Sequence, residues 1–243
     1  MLLIVTACVN PDTKVANIAI RNENARLAQY LSALDFFVES TSITDIIFCD
    51  NSDAKVDYSS IINKAKKNGK QIEILHFSQN MNMFYEKGKS YGELCIMNYI
   101  LENSSLLLKH SSFYKITGRL IVNNFEHISK RNKTMSISKF VFLGNPIDKA
   151  SKKIDTRFYY MTTLDLKKII KLLYDIVDES KGFTLERSFY ESISMLNLPF
   201  EMLPRYPQYL GISGSTGVDY SKARFSKIKL IIKNILIKLY SIF

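Results

Sequence analysis

The chain reads as an α/β protein, a mostly parallel sheet flanked by helices, and two observations predict it. Apolar runs of strand length recur at 2–8, 45–49, 71–77 and 113–116, and stretches of helical periodicity lie between them at 22–37, 59–68 and 91–108. Strands that alternate with helix-length segments return in the same direction, so they pair in parallel with the helices packed on the sheet faces. The second observation is composition: 243 residues, 47% apolar and 23% charged, are enough for one large globular α/β domain and unlike a disordered chain.

The first run, 2–8, is read as a buried strand. It ends in Val5-Thr6-Ala7-Cys8, a pattern with a slight likeness to a lipoprotein processing site, but it lacks a basic lead-in and the apolar run is too short for a signal core. The run at 45–49 leads into Asp50-Asn51-Ser52-Asp53, a polar turn by composition. Beyond Asn123 the order is less regular, with strands expected at 138–143 and 156–161 and helices at 164–177 and 185–196. Leu166, Ile169, Ile170, Leu173 and Ile176 make an apolar stripe on the first of those helices, with Lys167, Lys168 and Lys171 outside it. Pro199, Pro204 and Pro207 mark a break before Gly211.

The net charge of +10 is unevenly placed, because the segment from Lys222 onward holds six basic residues and no acid. The basicity therefore belongs mostly to the tail and not to a nucleic-acid groove, and no RNA-binding or zinc-finger signature occurs. Cys8, Cys49 and Cys95 are far apart and form neither a zinc motif nor a disulfide framework, which fits a reducing cytosol. His76, His110 and His127 have no metal or triad spacing, and no apolar run reaches the length of about 18 residues that spans a bilayer.

Chemistry concentrates between residues 85 and 120. Tyr85-Glu86-Lys87-Gly88-Lys89-Ser90-Tyr91-Gly92-Glu93 reads as a glycine-bearing, lysine-containing loop that opens a helix, a place where backbone N–H groups and cations meet an anion. Phe113-Tyr114-Lys115-Ile116-Thr117-Gly118-Arg119-Leu120 then delivers Thr117, Gly118 and Arg119 at the carboxyl end of a strand, where open α/β sheets bind ligands. Each alone is also an ordinary turn or surface residue; together they predict one pocket for a phosphorylated ligand.

These two motifs, K-G-x-x-Y-G-E and F-Y-K-I-T-G-R, resemble small bacterial glycosyltransferases of cell-surface polysaccharide clusters, those of capsule, O-antigen or lipooligosaccharide. The resemblance runs from the first strand to about Tyr220 and implies a GT-A-like, Rossmann-type catalytic domain over 1–220. In it 1–122 would hold the nucleotide sugar and 123–220 the acceptor. It implies nucleoside contacts from Thr6, Asn10, Asp50 and Asn51. Leaving-group stabilisation would come from Arg119 with Lys115 or Lys89 nearby, Lys87 being the weaker candidate. The resemblance also points to a C-terminal loop over the diphosphate, here Gly211-Ile212-Ser213-Gly214-Ser215-Thr216-Gly217, with donor contacts from Ser213, Gly214, Ser215 and Thr216. Most GT-A enzymes carry Asp-x-Asp after the strand that here ends in Thr117-Gly118-Arg119. This chain has no acid between Glu102 and Glu126, so no divalent metal and no other cofactor is expected. Arg can carry that electrostatic task, being always charged and able to bind phosphate through two N–H groups.

The resemblance to GT-A enzymes, whose base lies in the corresponding late segment, implies a base for the acceptor hydroxyl at Glu186, in Thr184-Leu185-Glu186-Arg187 at a helix start that Thr184 could cap, with Asp155 second. Asp155-Thr156-Arg157-Phe158-Tyr159-Tyr160 suggests acceptor contacts from Arg157 and Tyr159. In the segment 221–243, Phe225, Ile228, Ile231, Ile232, Ile235, Leu236, Leu239, Ile242 and Phe243 gather on one side of a helical wheel and Lys222, Lys227, Lys229, Lys233 and Lys238 on the other. Such a basic amphipathic helix lies in a membrane interface or packs on protein.

The expectation is an inverting, metal-independent glycosyltransferase, with a nucleotide-diphosphate donor, by default UDP-linked, and a lipid-linked or lipid-anchored glycan acceptor. It would be cytoplasmic and peripheral on the inner face of an anionic membrane, with no nucleic-acid partner. The alternatives are a nucleotidyltransferase or other nucleotide-dependent α/β enzyme, and a membrane-bound scaffold without a catalytic pocket.

Overall fold

The computed structural model describes residues 1–12, 14, 18–52, 54–79, 81–214, 216–222 and 226–240, with backbone only at 226 and 227. In chain order the elements are β1 (Leu2–Ala7), α1 (Glu23–Ser40), β2 (Asp45–Asp50), α2 (Ser59–Lys67), β3 (Gln71–His76), α3 (Met81–Lys87), α4 (Lys89–Asn103) and β4 (Ser112–Thr117). Then come β5 (Ile121–Val122), α5 (Phe125–Ser129), β6 (Ser138–Phe140), β7 (Phe158–Thr162), α6 (Thr163–Ile176), α7 (Leu185–Met195), β8 (Phe200–Met202), β9 (Tyr209–Leu210) and α8 (Ser226–Tyr240).

Seven strands form one sheet in the order β3-β2-β1-β4-β7-β6-β8, and β5 pairs with β9 beside it. The strands β3, β2, β1 and β4 are mutually parallel, β7 runs against β4 and β6, and β8 is parallel to β6. The expected mostly parallel α/β architecture is what forms.

Period-two alternation explains its three layers. Leu3 and Val5 of β1, Ile46 and Phe48 of β2, and Tyr114 and Ile116 of β4 pack with Leu34 and Phe37 of α1 and Ile61 of α2. Their neighbours Leu2, Ile4, Ile47, Cys49 and Phe113 pack on the other face with Ile96 and Ile100 of α4, Leu166 and Ile169 of α6, and Phe189 of α7. Capping sets two helix starts: Asn22 accepts from Ala25 N at 2.9 Å, and the Thr162 hydroxyl accepts from Asp165 N at 3.0 Å.

Several local expectations are corrected. The Lys-Gly-Lys stretch is no loop but a joint between α3 and α4, turned by Gly88 at φ 86°. The helix expected over 91–108 ends at Asn103, because Glu73 of β3 takes hydrogen bonds from Ser104, Ser105 and Leu106 and closes the turn. Alternation on β7 sends Phe158 and Tyr160 to one face and Tyr159 to the other, so Asp155 to Tyr160 form no common charged and aromatic surface.

Asp155, fully buried, holds Arg157 through two guanidinium contacts, Nε at 2.8 Å and Nη2 at 2.6 Å. Arg157 also lies over the Tyr209 ring at 4.4 Å and the Tyr220 ring at 5.4 Å, tying the chain after β8 to the start of β7. Burial disfavours its charge, and the Asp155 carboxylate together with Tyr209 and Tyr206 more than offsets this, raising the guanidinium pKa. Arg157→Ala should destabilise the fold by about 3–5 kcal/mol, the usual cost of leaving a buried charge unpaired. Urea unfolding checks this, and a loss below about 1 kcal/mol would contradict the buried pair.

Candidate active site

The order around β1 creates the site. From β1 the chain winds through β2 to β3 on one side, then crosses to β4 on the other, so the crevice beyond the carboxyl ends of β1 and β4 is a topological switch point. A cavity of about 820 Å³ opens there. The size suits a ligand as large as a nucleotide sugar.

Eight of the sequence-selected residues line it: Thr6 near the end of β1 and Asn10 beyond it, Asn51 after β2, Lys89 on α4, Thr117 at the end of β4 and Arg119 beyond it, Glu186 on α7, and Gly214. Gly214 lies against Arg119, since a Cβ there would come within 2.7 Å of Nη2. Asn51 donates to Gln79, another wall residue, while Asn51 Oδ1 and Gln79 Nε2 are buried without partners among the described residues.

The other choices lie elsewhere, each for a physical reason. Asp50 is fully buried and accepts from Val9 N at 2.9 Å and the Ser52 hydroxyl at 2.7 Å, so it shapes the loop after β1; burial pushes its carboxyl pKa up. Lys115 sits mid-strand at 1% exposure, paired with Glu93 of α4 and donating to Thr156 O at 2.7 Å. Gly118 lets β1 and β4 close up, for a Cβ would meet Thr6 O at 2.5 Å. Asp155 is sealed in its pair with Arg157, and Tyr159 is core, packed with Phe113, Phe140 and Phe189. Arg157 and Tyr159 are therefore off the cavity wall and not the acceptor face that was expected. Lys87 turns to Tyr174 O at 2.9 Å. Ser213 and Thr216 use their hydroxyls inside their own turn, accepting from Thr216 N and Val218 N, and Ser215 lies outside the described residues, as does Asp53.

The α4 N-terminus was expected to greet a ligand's anion, and the protein supplies that anion itself. Glu179 accepts from Lys89 N at 3.2 Å, Ser90 N at 3.0 Å and the Ser90 hydroxyl at 2.6 Å. The same hydroxyl accepts from Leu185 N at 2.9 Å, which docks the α7 start, and with it Glu186, on the cavity. Thr184 stands at the N-cap but makes no side-chain cap bond.

Sequence reasoning missed Arg26. It occupies the core stripe of α1 with Tyr30, Ala33, Leu34, Phe37 and Val38, and a charge on an apolar stripe was the readable signal. Its guanidinium grips the loop after β1, with Nε 2.8 Å from Cys8 O and Nη1 3.0 Å from Ile20 O. The Tyr30 hydroxyl accepts from Cys8 N at 3.0 Å. Arg119, also buried, donates to Gln29 at 3.1 Å. Neither guanidinium has a carboxylate partner among the described residues. Burial lowers the Arg119 pKa, and the nearby Arg26 charge adds to that push. Burial also lifts the Cys8 thiol to about 11, which keeps it protonated and poorly nucleophilic.

Of the wall carboxylates, Glu93 is paired with Lys115, Glu179 with the α4 amides, and Asp12 with Lys14 N. Glu186 has no side-chain partner among the described residues. Also among them, no three His, Cys, Asp or Glu side chains gather as a metal site. The position after β4 offers a guanidinium and no carboxylate, so it does not fit a divalent cation.

No protein-family model and no curated protein matches the chain. Among solved structures it is similar to an active-site mutant of LgtC, at TM-score 0.49 and 12% identity over 79% of this chain and 70% of that one. A nucleoside-diphosphate-sugar pyrophosphorylase from Vibrio cholerae RC9 gives 0.44 and 14%, over 83% and 91%. Core-mannan synthase A from Aspergillus fumigatus, in its Mn/GDP form, gives 0.45 and 10%, over 95% and 84%. Likeness at this level says nothing of this chain's chemistry.

Two like charges buried without a counter-anion cost stability that a bound anion restores. Pyrophosphate at about a hundred times its dissociation constant should stabilise the protein by about 2.7 kcal/mol. Arg119→Met should leave the ligand-free protein as stable or up to about 1 kcal/mol more so, while losing most of that gain. Thermal and urea unfolding with and without pyrophosphate measure both effects, and equal stabilisation of the two proteins would contradict an anion seat at Arg119.

Proposed function

We propose that the chain is a glycosyltransferase that moves a sugar from a nucleotide-diphosphate donor, UDP-linked by default, to a hydroxyl of a lipid-linked or lipid-anchored surface glycan. The observation that carries this is the pair of buried guanidiniums, Arg26 and Arg119, on the wall of a cavity that also holds Glu186, all three without a charged partner among the described residues. A diphosphate answers the charge of the pair. The cavity floor at Thr6, Asn10 and Asn51 takes the nucleoside, and Glu186 is the base.

In the proposed step the acceptor oxygen bonds to the anomeric carbon as the bond from that carbon to the diphosphate oxygen breaks. The nucleoside diphosphate leaves with the electron pair, the acceptor proton passes to Glu186, and the anomeric centre inverts. Charge grows on the leaving diphosphate, and Arg119 and Arg26, with Lys89 on the same wall, stabilise it without a metal.

The membrane part of the proposal rests on α8. Its Leu230, Asn234 and Ile237 side pack on the domain, with Asn234 Oδ1 accepting from Tyr206 N at 3.0 Å. Lys233 turns in over the Tyr206 ring at 3.9 Å, away from the solvent face expected for it, and burial lowers its pKa. Ile228, Ile231, Ile232, Ile235 and Leu239 stay exposed, a stripe open to a bilayer surface. No helix among the described residues is long and apolar enough to cross a membrane. The proposed location is the cytoplasmic face of an anionic membrane.

Products decide between reactions. A screen of nucleotide sugars should find one that yields nucleoside diphosphate and a glycosylated acceptor, whereas release of pyrophosphate from a nucleoside triphosphate would show a nucleotidyltransferase. With that donor, Glu186→Gln should cut turnover by about a hundredfold or more while donor affinity stays within about threefold. Unchanged turnover would remove Glu186 from the step. Chelator should leave most of the activity; its abolition, with rescue by Mn²⁺ or Mg²⁺, would place a metal in the reaction.

A further inference from the structure

A second cavity, about 560 Å³, shares no residue with the first and lies toward the β8 edge of the sheet. Arg131 and Lys133 beyond α5, Lys139 of β6, Arg205 beyond β8 and Lys238 of α8 bring five cations to it, against the single acid Glu201. Glu201 is spent on Lys139. Arg131, Lys133 and Arg205 have no carboxylate partner among the described residues. Ile231 and Ile235 of α8, 59% and 53% exposed, also line it, members of the open stripe that continues to Ile228, Ile232 and Leu239.

Unpaired guanidinium and ammonium groups call for a phosphate. Large exposed isoleucines beside them call for a hydrocarbon. A solvated nucleic-acid backbone answers only the first, and a bilayer surface answers both. We propose that this cavity seats the phosphate of an anionic phospholipid headgroup, with the lipid chains passing along the α8 stripe. This rests on the membrane part of the proposed function and not on the reaction.

The site differs from a diffuse basic surface in a way that can be measured. Full-length protein is assayed by co-sedimentation with vesicles of phosphatidylcholine alone, of equimolar phosphatidylcholine and phosphatidylglycerol, and of phosphatidylcholine with oleate at matched surface charge. The intact protein should bind the phosphatidylglycerol vesicles about tenfold or more tightly than either other kind. Arg131→Glu with Lys133→Glu, both exposed positions, should weaken that binding about tenfold or more, and Arg205→Gln should weaken it too. Lys167→Glu with Lys168→Glu on exposed α6 positions changes net charge equally and should stay within about twofold, since it lies outside the cavity. Ile231→Ser with Ile235→Ser should also weaken binding, and circular dichroism confirms that each variant is folded. Equal binding to oleate vesicles, or an equal loss in the α6 variant, overturns the headgroup site while leaving membrane attachment standing. Failure of the intact protein to bind any vesicle overturns both, and stabilisation by inorganic phosphate that Arg131→Glu with Lys133→Glu abolishes and Arg119→Met does not would assign the cavity to free phosphate.

Discussion

β1 is paired in parallel on both edges and buried on both faces, and this double constraint organises the molecule. A strand so placed spends all its side chains on two cores, so its only chemical surface is its carboxyl end. Because β2 and β4 run the same way, their ends open beside it and bring Thr6, Asn51, Thr117 and Arg119 together from three segments far apart in the chain. Gly118 permits the approach by having no Cβ where Thr6 O passes.

Charge is then sorted by what each cation meets. Lys115 finds Glu93, Arg157 finds Asp155, and Lys139 finds Glu201, and in each case a buried or half-buried cation is held by a carboxylate. Among the described residues Arg26 and Arg119 find carbonyl and amide oxygens and the Tyr30 hydroxyl, and no carboxylate. An amide oxygen satisfies a donor but not a charge, and the difference between these two groups of cations is what distinguishes a structural pair from a seat for an anion. Glu179 follows the same logic in reverse, for it fills the α4 N-terminus that a ligand would otherwise compete for.

Most of the fold was legible. The first four strands of the sheet and α1, α2 and α4 were readable because each has an apolar period of its own, whereas α3, read as part of a loop, and the short β5 were not, and α4 ends early at Asn103 where the distant Glu73 intervenes. The site was half legible. Residues at strand ends, such as Thr6 and Arg119, could be chosen because a strand end is visible in sequence. Lys115 and Tyr159 could not be rejected, because alternation says only that a residue faces one side and not what covers it. Arg26 was overlooked for the opposite reason, since its helix was read for apolar spacing and the charge on the stripe was passed over.

What the sequence by itself determined is local: where most strands and helices lie, that the sheet is mostly parallel, that the last helix is basic and amphipathic, and that no acid lies between Glu102 and Glu126. Hydrophobic period and residue chemistry are enough for these, because they depend on neighbours within a few turns. Only the tertiary structure decided which cations are neutralised, that Asp155 is sealed in the core while Glu186 faces the cavity, and that α8 packs through Leu230, Asn234 and Ile237 and leaves its isoleucines open. Those outcomes are set by pairings between segments far apart in the chain, and the energy of a buried charge depends on the partner it meets and not on its own position in the sequence.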